Sequence, residues 1–279
     1  MTNIIPRLEF IVQSILREQQ CCPYCNSKSN TVIASKNFFT KIKKCENCQI
    51  YFTSPIYKPW FLSNLYDSLY SAEGSTTTVP TDSELKKLKN NNFDGSDKCF
   101  VERIQSIKNS FRTGKLLEFG SSWGYFLYQA QKLGFEGTGI ELSEPRRTYG
   151  TRNLQVNILK SLDEVENGIF DFIYTAHTLE HLTDPSGIFQ KFACLLKENG
   201  ILIIEVPNFY PNKPKLSLIG AVHPLGFSCK FFEKNLSNNQ FKIIGFYDSW
   251  EHFPNNKVTT SNSDIVIAVA QKTNSPTNS

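Results

Sequence analysis

The stretch Lys115–Leu142, KLLEFGSSWGYFLYQAQKLGFEGTGIEL, constrains the fold more than any other part of the chain. Lys115 to Phe119 is a short apolar run closed by Gly120. Gly120 and Gly124 bracket a turn, after which Phe126, Leu127, Ala130 and Leu133 recur at helical spacing. Gly134 ends that helix, and Thr138-Gly139-Ile140 begins a second apolar strand that runs into an acid, Glu141. Strand, glycine turn, helix, strand and terminal acid make a βαβ unit that binds a nucleoside. The glycines let the backbone approach the ligand, and the acid accepts hydrogen bonds from ribose hydroxyls.

The glycine spacing narrows the ligand. A dinucleotide site uses G-x-G-x-x-G to seat a pyrophosphate on a helix N-terminus. Here the turn is E-x-G-x-x-x-G, with Glu118 two residues before Gly120 and no middle glycine. A carboxylate at that place repels a pyrophosphate and suits a cationic amino-acid group. This pattern, followed by an acid at the next strand end, resembles the class I S-adenosylmethionine-dependent methyltransferases. The resemblance implies that Glu118, Gly120, Ser121 and Gly124 line the methionine portion of S-adenosylmethionine, that Glu141 takes the ribose, and that Leu142 packs on adenine.

A length of 279 residues with 40% hydrophobic content leaves room for one α/β domain and a small appendage. The net charge of +4 is spread along the chain, so charge does not argue for nucleic acid as a partner. The apolar N-terminal stretch Ile4–Leu16 is interrupted by Arg7, Glu9, Gln13 and Ser14 and reads as an amphipathic helix, not a secretory signal. Without an apolar run long enough to span a bilayer, the expectation is a cytoplasmic protein with no membrane partner.

Five of the eight cysteines, Cys21, Cys22, Cys25, Cys45 and Cys48, fall within 28 positions. Cys22-x2-Cys25 and Cys45-x2-Cys48 are separated by nineteen residues. Each pair aims two thiolates at one point from a tight turn, and two such knuckles complete a tetrahedral S4 site suited to structural Zn2+. Thr31–Ala34, Lys41–Lys44 and Ile50–Phe52 read as the short strands of a zinc ribbon. Cys21 is the spare thiol. The segment Tyr57–Tyr70 carries aromatics at helical spacing, and Ser71–Asp82 has the composition of a mobile loop. Helices are expected from about Glu84 to the Asn90-Asn91-Asn92 run and from Asp97 to Phe111. C-x2-C twice, a short strand, Pro55 and then Leu62, Tyr66 and Tyr70 before a methyltransferase turn resemble a group of bacterial methyltransferases with an N-terminal zinc-binding region. Sugar C-methyltransferases and enzymes of polysaccharide gene clusters belong to that group.

Beyond Glu141, Ser143 and Pro145 open a helix, and Gln155–Ile158 reads as a third strand. Ser161 and Leu162 follow where the family's fold places adenine contacts. Phe170–Ala176 is a fourth strand, running into His177-Thr178-Leu179-Glu180-His181-Leu182-Thr183-Asp184-Pro185. Ligands of open α/β sheets bind beyond the carboxyl ends of the strands, so His177, Glu180 and His181 are expected near the cofactor. The E-H-L-x-D-P segment resembles the post-strand motif of the same superfamily. H-x2-E-H resembles the metal-binding E-x2-E-H of ubiquinone-pathway and small-RNA methyltransferases, with histidine in place of the first glutamate. Bracing the loop, moving a proton and holding a metal all remain open for these residues.

Ile188–Leu196 reads as a helix, Gly200–Asn208 as a fifth strand, and Phe209–Phe227 as a substrate-binding flap containing His223. The family resemblance implies that His223 lines the acceptor pocket. Phe241–Tyr247 and Asp264–Ala270 read as a final antiparallel strand pair. The expected architecture is an α/β, Rossmann-like seven-stranded methyltransferase sheet with an antiparallel last strand, plus a small N-terminal zinc ribbon. The expected divisions are a helix and ribbon over 1–56, a helical linker or lid over 57–112, the methyltransferase domain over 113–272 and a disordered tail over 273–279.

The resulting expectation is methyl transfer from S-adenosyl-L-methionine to a small-molecule or glycan acceptor, a nucleotide sugar among the candidates. The bases are His181 and His223, with His177 third and also near the cofactor. Two rivals stand beside it. An NAD-dependent oxidoreductase is disfavoured by the missing glycine and the paired last strands. An RNA-modifying methyltransferase would use the ribbon's Lys36, Lys41, Lys43 and Lys44 to hold nucleic acid.

Overall fold

The computed structural model describes residues 20–36, 40–56, 78–209, 216–260 and 263–273. The expected N-terminal helix, the aromatic segment Tyr57–Tyr70, most of the loop after it and the residues past Thr273 lie outside the described residues.

Three short strands open the described chain: β1 (Asn30–Ser35), β2 (Lys41–Cys45) and β3 (Tyr51–Ser54). They pair antiparallel in that order, with Ile42 opposite Thr53 and Lys43 opposite Phe52. Two helices follow, α1 (Asp82–Asn90) and α2 (Val101–Phe111). Thr81 caps α1 through a capping box with Glu84, which is why the helix starts two residues before the apolar pattern does.

The larger unit alternates strand and helix: β4 (Lys115–Phe119), α3 (Tyr125–Lys132), β5 (Glu136–Ile140), α4 (Glu144–Leu154), β6 (Asn157–Leu159), β7 (Phe170–Ala176), α5 (Ile188–Leu195) and β8 (Leu196–Pro207). A two-residue strand β9 (Leu225–Gly226), helix α6 (Cys229–Ser237) and strands β10 (Phe241–Tyr247) and β11 (Ile265–Lys272) complete it. The seven strands lie in the order β10-β11-β8-β7-β4-β5-β6, and β11 alone runs opposite to the other six. The expected strand pair at the end of the chain is therefore present. β8 begins at Leu196, opposite Phe170, so α5 ends one residue earlier and the strand starts four residues earlier than the apolar pattern indicates.

The central strands are buried on both faces, and their side chains alternate between two cores. Leu117, Ile173, Leu202, Ile204, Val266 and Ala268 point to one core, which α5 and α6 cover with Phe189, Phe192, Phe231, Phe232 and Leu236. Leu116, Phe172, Tyr174, Ile203, Ile267 and Val269 point to the other, closed by Ile104 and Ile107 of α2 and by Phe126, Leu127 and Ala130 of α3. Phe126 stacks on Tyr174 with ring centroids 4.3 Å apart.

The cysteine-bearing unit is not a separate lobe. Cys22, Cys45, Cys48, Ile50 and Phe52 are continuous with the first core. Asn235 of α6 donates to the Cys48 carbonyl at 2.8 Å. β9, from the segment expected to be a flap, pairs with β3 as the fourth strand of the small sheet.

Candidate functional site

The turn after β4 forms the first half of the site. Gly120 has φ of +85°, a left-handed backbone, and a Cβ there would overlap the side chain of Thr178. Gly120 and Ser121 both donate backbone N–H groups to the Ile140 carbonyl at 2.9 Å, which locks the turn against the end of β5. Glu141, one residue past β5, accepts from the backbone N–H of Ser122 at 3.0 Å and of Ser143 at 2.8 Å. Ser143 thus occupies the N-cap position of α4, but its side chain makes no capping bond. Leu142 is 78% exposed, an apolar side chain presented to solvent beside that carboxylate.

Glu118 is buried, and its Oε2 has no hydrogen-bond partner; Ser121 and Ser122 Oγ are also buried and unpartnered. Burial, and then the charge of Glu141, push the Glu118 carboxyl well above the usual carboxylate range. An unpartnered buried acid next to unused hydroxyls fits a cationic, hydrogen-bonding ligand such as the amino-acid end of S-adenosylmethionine. Ser161 uses its side chain to cap the turn Leu162–Glu164, while Leu162 packs half-buried against the first core.

The second half of the site lies beyond β7. His177 has φ of +48°, rare for a residue with a side chain, and its N–H donates to the Glu205 carbonyl at 2.9 Å. Its ring lies between two acids, Nε2 at 3.1 Å from Glu205 Oε1 and Nδ1 at 3.5 Å from Glu180 Oε1. The longer contact is electrostatic, because neither Glu180 oxygen has a hydrogen-bond partner. Burial opposes a charge on His177, but the two carboxylates outweigh it and carry the group up to about 10. His177 is therefore an imidazolium at neutral pH.

Glu205, near the carboxyl end of β8, is the residue that sequence reasoning missed. It is 1% exposed. Arg103 of α2 donates to both of its oxygens, at 3.1 and 2.8 Å, and the Trp250 indole N–H donates to Oε2. Arg103, His177 and Trp250 lie 102, 28 and 45 positions away, so no local pattern marks the residue.

His181 and His223 come together although 42 positions separate them, their rings 4.4 Å apart and nearly perpendicular. His181 Nδ1 lies 2.9 Å from the Val222 carbonyl, and His223 Nδ1 lies 3.2 Å from the Leu218 carbonyl. A carbonyl only accepts, so each Nδ1 is the protonated nitrogen when the ring is neutral, leaving the lone pair on Nε2. Burial keeps His181 below its usual value. Glu180, His181 and His223 each offer a ligand atom, all within 4.8 Å of one another.

The four cysteines of the two knuckles also converge. Cys22 and Cys48 Sγ are 3.4 Å apart, Cys25 and Cys45 Sγ 3.6 Å apart, and all four lie within 4.8 Å of one another. Zinc–sulfur bonds of about 2.3 Å place sulfurs about 3.8 Å apart in a tetrahedron, so the set fits zinc. Cys21 is not in this set. The hydrogen bond between Cys22 and Cys48 lowers the Cys22 thiol and raises its partner, so the pair shares one proton between two sulfurs.

The basic residues of the ribbon do not form one outward patch. Lys43 is buried, Lys36 Nζ is bonded to backbone carbonyls, and Lys44 lies 3.9 Å from Glu46.

This fold and turn define a class I S-adenosylmethionine-dependent methyltransferase. Residues 98–238 match the family model described as a methyltransferase domain, and the chain belongs to that family. A TehB-like SAM-dependent methyltransferase from Corynebacterium glutamicum superposes with a TM-score of 0.51 at 18% identity, covering 68% of this chain and 97% of that one. A methyltransferase from Clostridium acetobutylicum gives 0.51 at 12% identity over 69% of this chain and 99% of that one. In sequence, the ubiquinone biosynthesis O-methyltransferase of Bordetella avium is 25% identical over 134 residues, 45% of this chain and 56% of that protein. The Colwellia psychrerythraea enzyme of the same name is 28% identical over 43% of this chain and 52% of that protein. The chain spans about half the length of the curated relatives it matches. Among the described residues, no helix is long and apolar enough to cross a membrane.

Proposed function

We propose that this methyltransferase acts on a hydroxyl of a small-molecule or glycan acceptor, a nucleotide sugar among the candidates, and that His223 and His181 take the proton. The observation that carries this reading is the His181–His223 pair, 4.4 Å between centroids, one from the loop after β7 and one from the segment after β8. The relatives' shared name, O-methyltransferase, supports oxygen as the methylated atom. Glu118 and the Gly120 turn hold the amino-acid end of the donor, and Glu141 holds its ribose. When bound, S-adenosylmethionine supplies an already activated methyl group, so the chain's task is alignment, water exclusion and proton removal. His177, charged and held between two acids, has no lone pair to offer and serves to brace the loop. Four cysteines hold a structural zinc with no open position.

Methyl transfer from radiolabelled donor to a panel of phenols, catechols and nucleotide sugars tests the assignment. His223→Ala and His181→Ala are each expected to lower kcat by about 10²–10⁴-fold, with S-adenosylhomocysteine affinity unchanged. Wild-type turnover in both variants would overturn it.

A second reading is favoured by Glu180. Its carboxylate is 2% exposed, faces His177 at 3.5 Å without a hydrogen bond to either oxygen, and shares a 4.8 Å cluster with His181 and His223. A divalent cation there would orient acceptor oxygens. Activity restored to chelated, zinc-reconstituted enzyme only by added Mg2+ or Mn2+ would select this reading.

A further inference from the structure

The His223 loop is held at its end by the methyltransferase domain, through His181 Nδ1 against the Val222 carbonyl and the bridge of Asn208 with Phe227, and along its length by the cysteine-bearing unit. Thr53 donates its N–H to the Pro224 carbonyl at 2.8 Å, and β9 pairs with β3 through Phe52–Leu225 and Tyr51–Gly226. Ile42 of β2 and Tyr51 of β3 form a small core of their own with Phe209, which follows β8, and Ile219, which lies in the loop. All four are at most 3% exposed, and the Tyr51 and Phe209 rings lie 4.5 Å apart. Gly226 has no Cβ because one there would overlap Ile219. Lys36, just past β1, donates from Nζ to the Ile219 carbonyl at 2.6 Å and to the Leu216 carbonyl at 3.3 Å. Those contacts fix the turn whose Leu218 carbonyl holds His223 Nδ1 and whose Gly220 N–H donates to the His223 carbonyl at 2.9 Å.

We propose that the zinc ribbon is the positioning element of the acceptor site. The shared core of Ile42, Tyr51, Phe209 and Ile219 and the Lys36 clamp fix His223 against His181. Lys36 and Ile42 are then positioning residues that act on the reaction without touching acceptor or donor. The donor cradle is built by β4, β5 and the turn after β4, so loosening the ribbon contact should affect the acceptor side alone. This inference rests on the reading of His223 as part of the acceptor site.

Two full-length variants test it, Lys36→Met, which leaves the shared core intact, and Ile42→Ala, which hollows that core from the ribbon side. Hydrogen exchange of residues 216–226 is expected to quicken about fivefold or more in each, as for a segment that loses its local protection. Turnover is expected to fall about tenfold or more while S-adenosylhomocysteine affinity stays within a factor of about two. Lys36→Arg is expected to restore both. Unchanged exchange over 216–226 in both variants, or a loosened loop with wild-type turnover, would overturn the proposal. If the wild-type enzyme transfers methyl to no acceptor of the panel, the assignment of His223 fails, and the exchange measurement still decides whether the ribbon holds the loop.

Discussion

Cys48→Ser is expected to abolish zinc binding and to collapse the ribbon together with the face of the methyltransferase domain it covers. Cys22, Cys45 and Cys48 are at most 2% exposed, and no other thiol completes the tetrahedron. Three short strands bury little apolar surface of their own, so a zinc held by the four thiolates would supply much of the energy that orders them. Structural zinc in comparable peptides binds with about 10–16 kcal/mol, all of it folding free energy. The loss would spread, because Cys48, Ile50 and Phe52 share a core with Phe227, Phe231 and Phe232, and Asn235 would lose its Cys48 partner. The expected signature is one zinc per wild-type chain by elemental analysis. In the variant, no zinc is expected, with early proteolysis within 20–56 and binding of a hydrophobic dye. Wild-type protein refolded with zinc that still shows four freely reactive knuckle thiols would contradict the assignment.

Glu205→Ala is expected to cost about 2–3 kcal/mol, because Arg103 and His177, both partly exposed to solvent, lose the counter-ion and charged hydrogen bonds they share. Arg103, His177 and Trp250 all converge on that carboxylate, from α2, from the loop after β7 and from the segment between β10 and β11. For a domain of this size the cost corresponds to a fall in Tm on the order of 10 °C. Arg103→Met should cost less, since the Arg103 side chain is 30% exposed and Glu205 keeps two other partners. Thermal melts of the two variants check both magnitude and order. A Glu205→Ala melt within about 2 °C of wild type would show that the cluster contributes nothing net.

The βαβ unit, the final strand pair and the four cysteines were legible because each is a local pattern. Apolar runs closed by glycine, helical spacing after Gly124 and the C-x2-C pairs need no tertiary knowledge. What the sequence hid is non-local or too short to have a period. β9 is two residues long, so the pairing that ties Leu225 and Gly226 to the ribbon leaves no alternation to detect, and the segment reads as a flap. Glu205 sits inside an apolar strand and carries no local mark; Arg103, His177 and Trp250 reach it from three other segments. His177 looks like a base in sequence; placed between Glu180 and Glu205 it becomes a cation. His181 and His223 were each visible as candidates, but only the fold puts their rings against each other.

Glu141 is the sharpest probe of whether the Lys115–Leu142 unit holds S-adenosylmethionine. Titration calorimetry of S-adenosylhomocysteine into wild-type protein and Glu141→Ala is the measurement, with circular dichroism to confirm that the variant is folded. A hydrogen bond to a charged group contributes about 1.5–3 kcal/mol, so the account predicts binding to the wild type and a loss of about 10–100-fold in the variant. No heat with the wild type, or an affinity indifferent to Glu141→Ala, would contradict it.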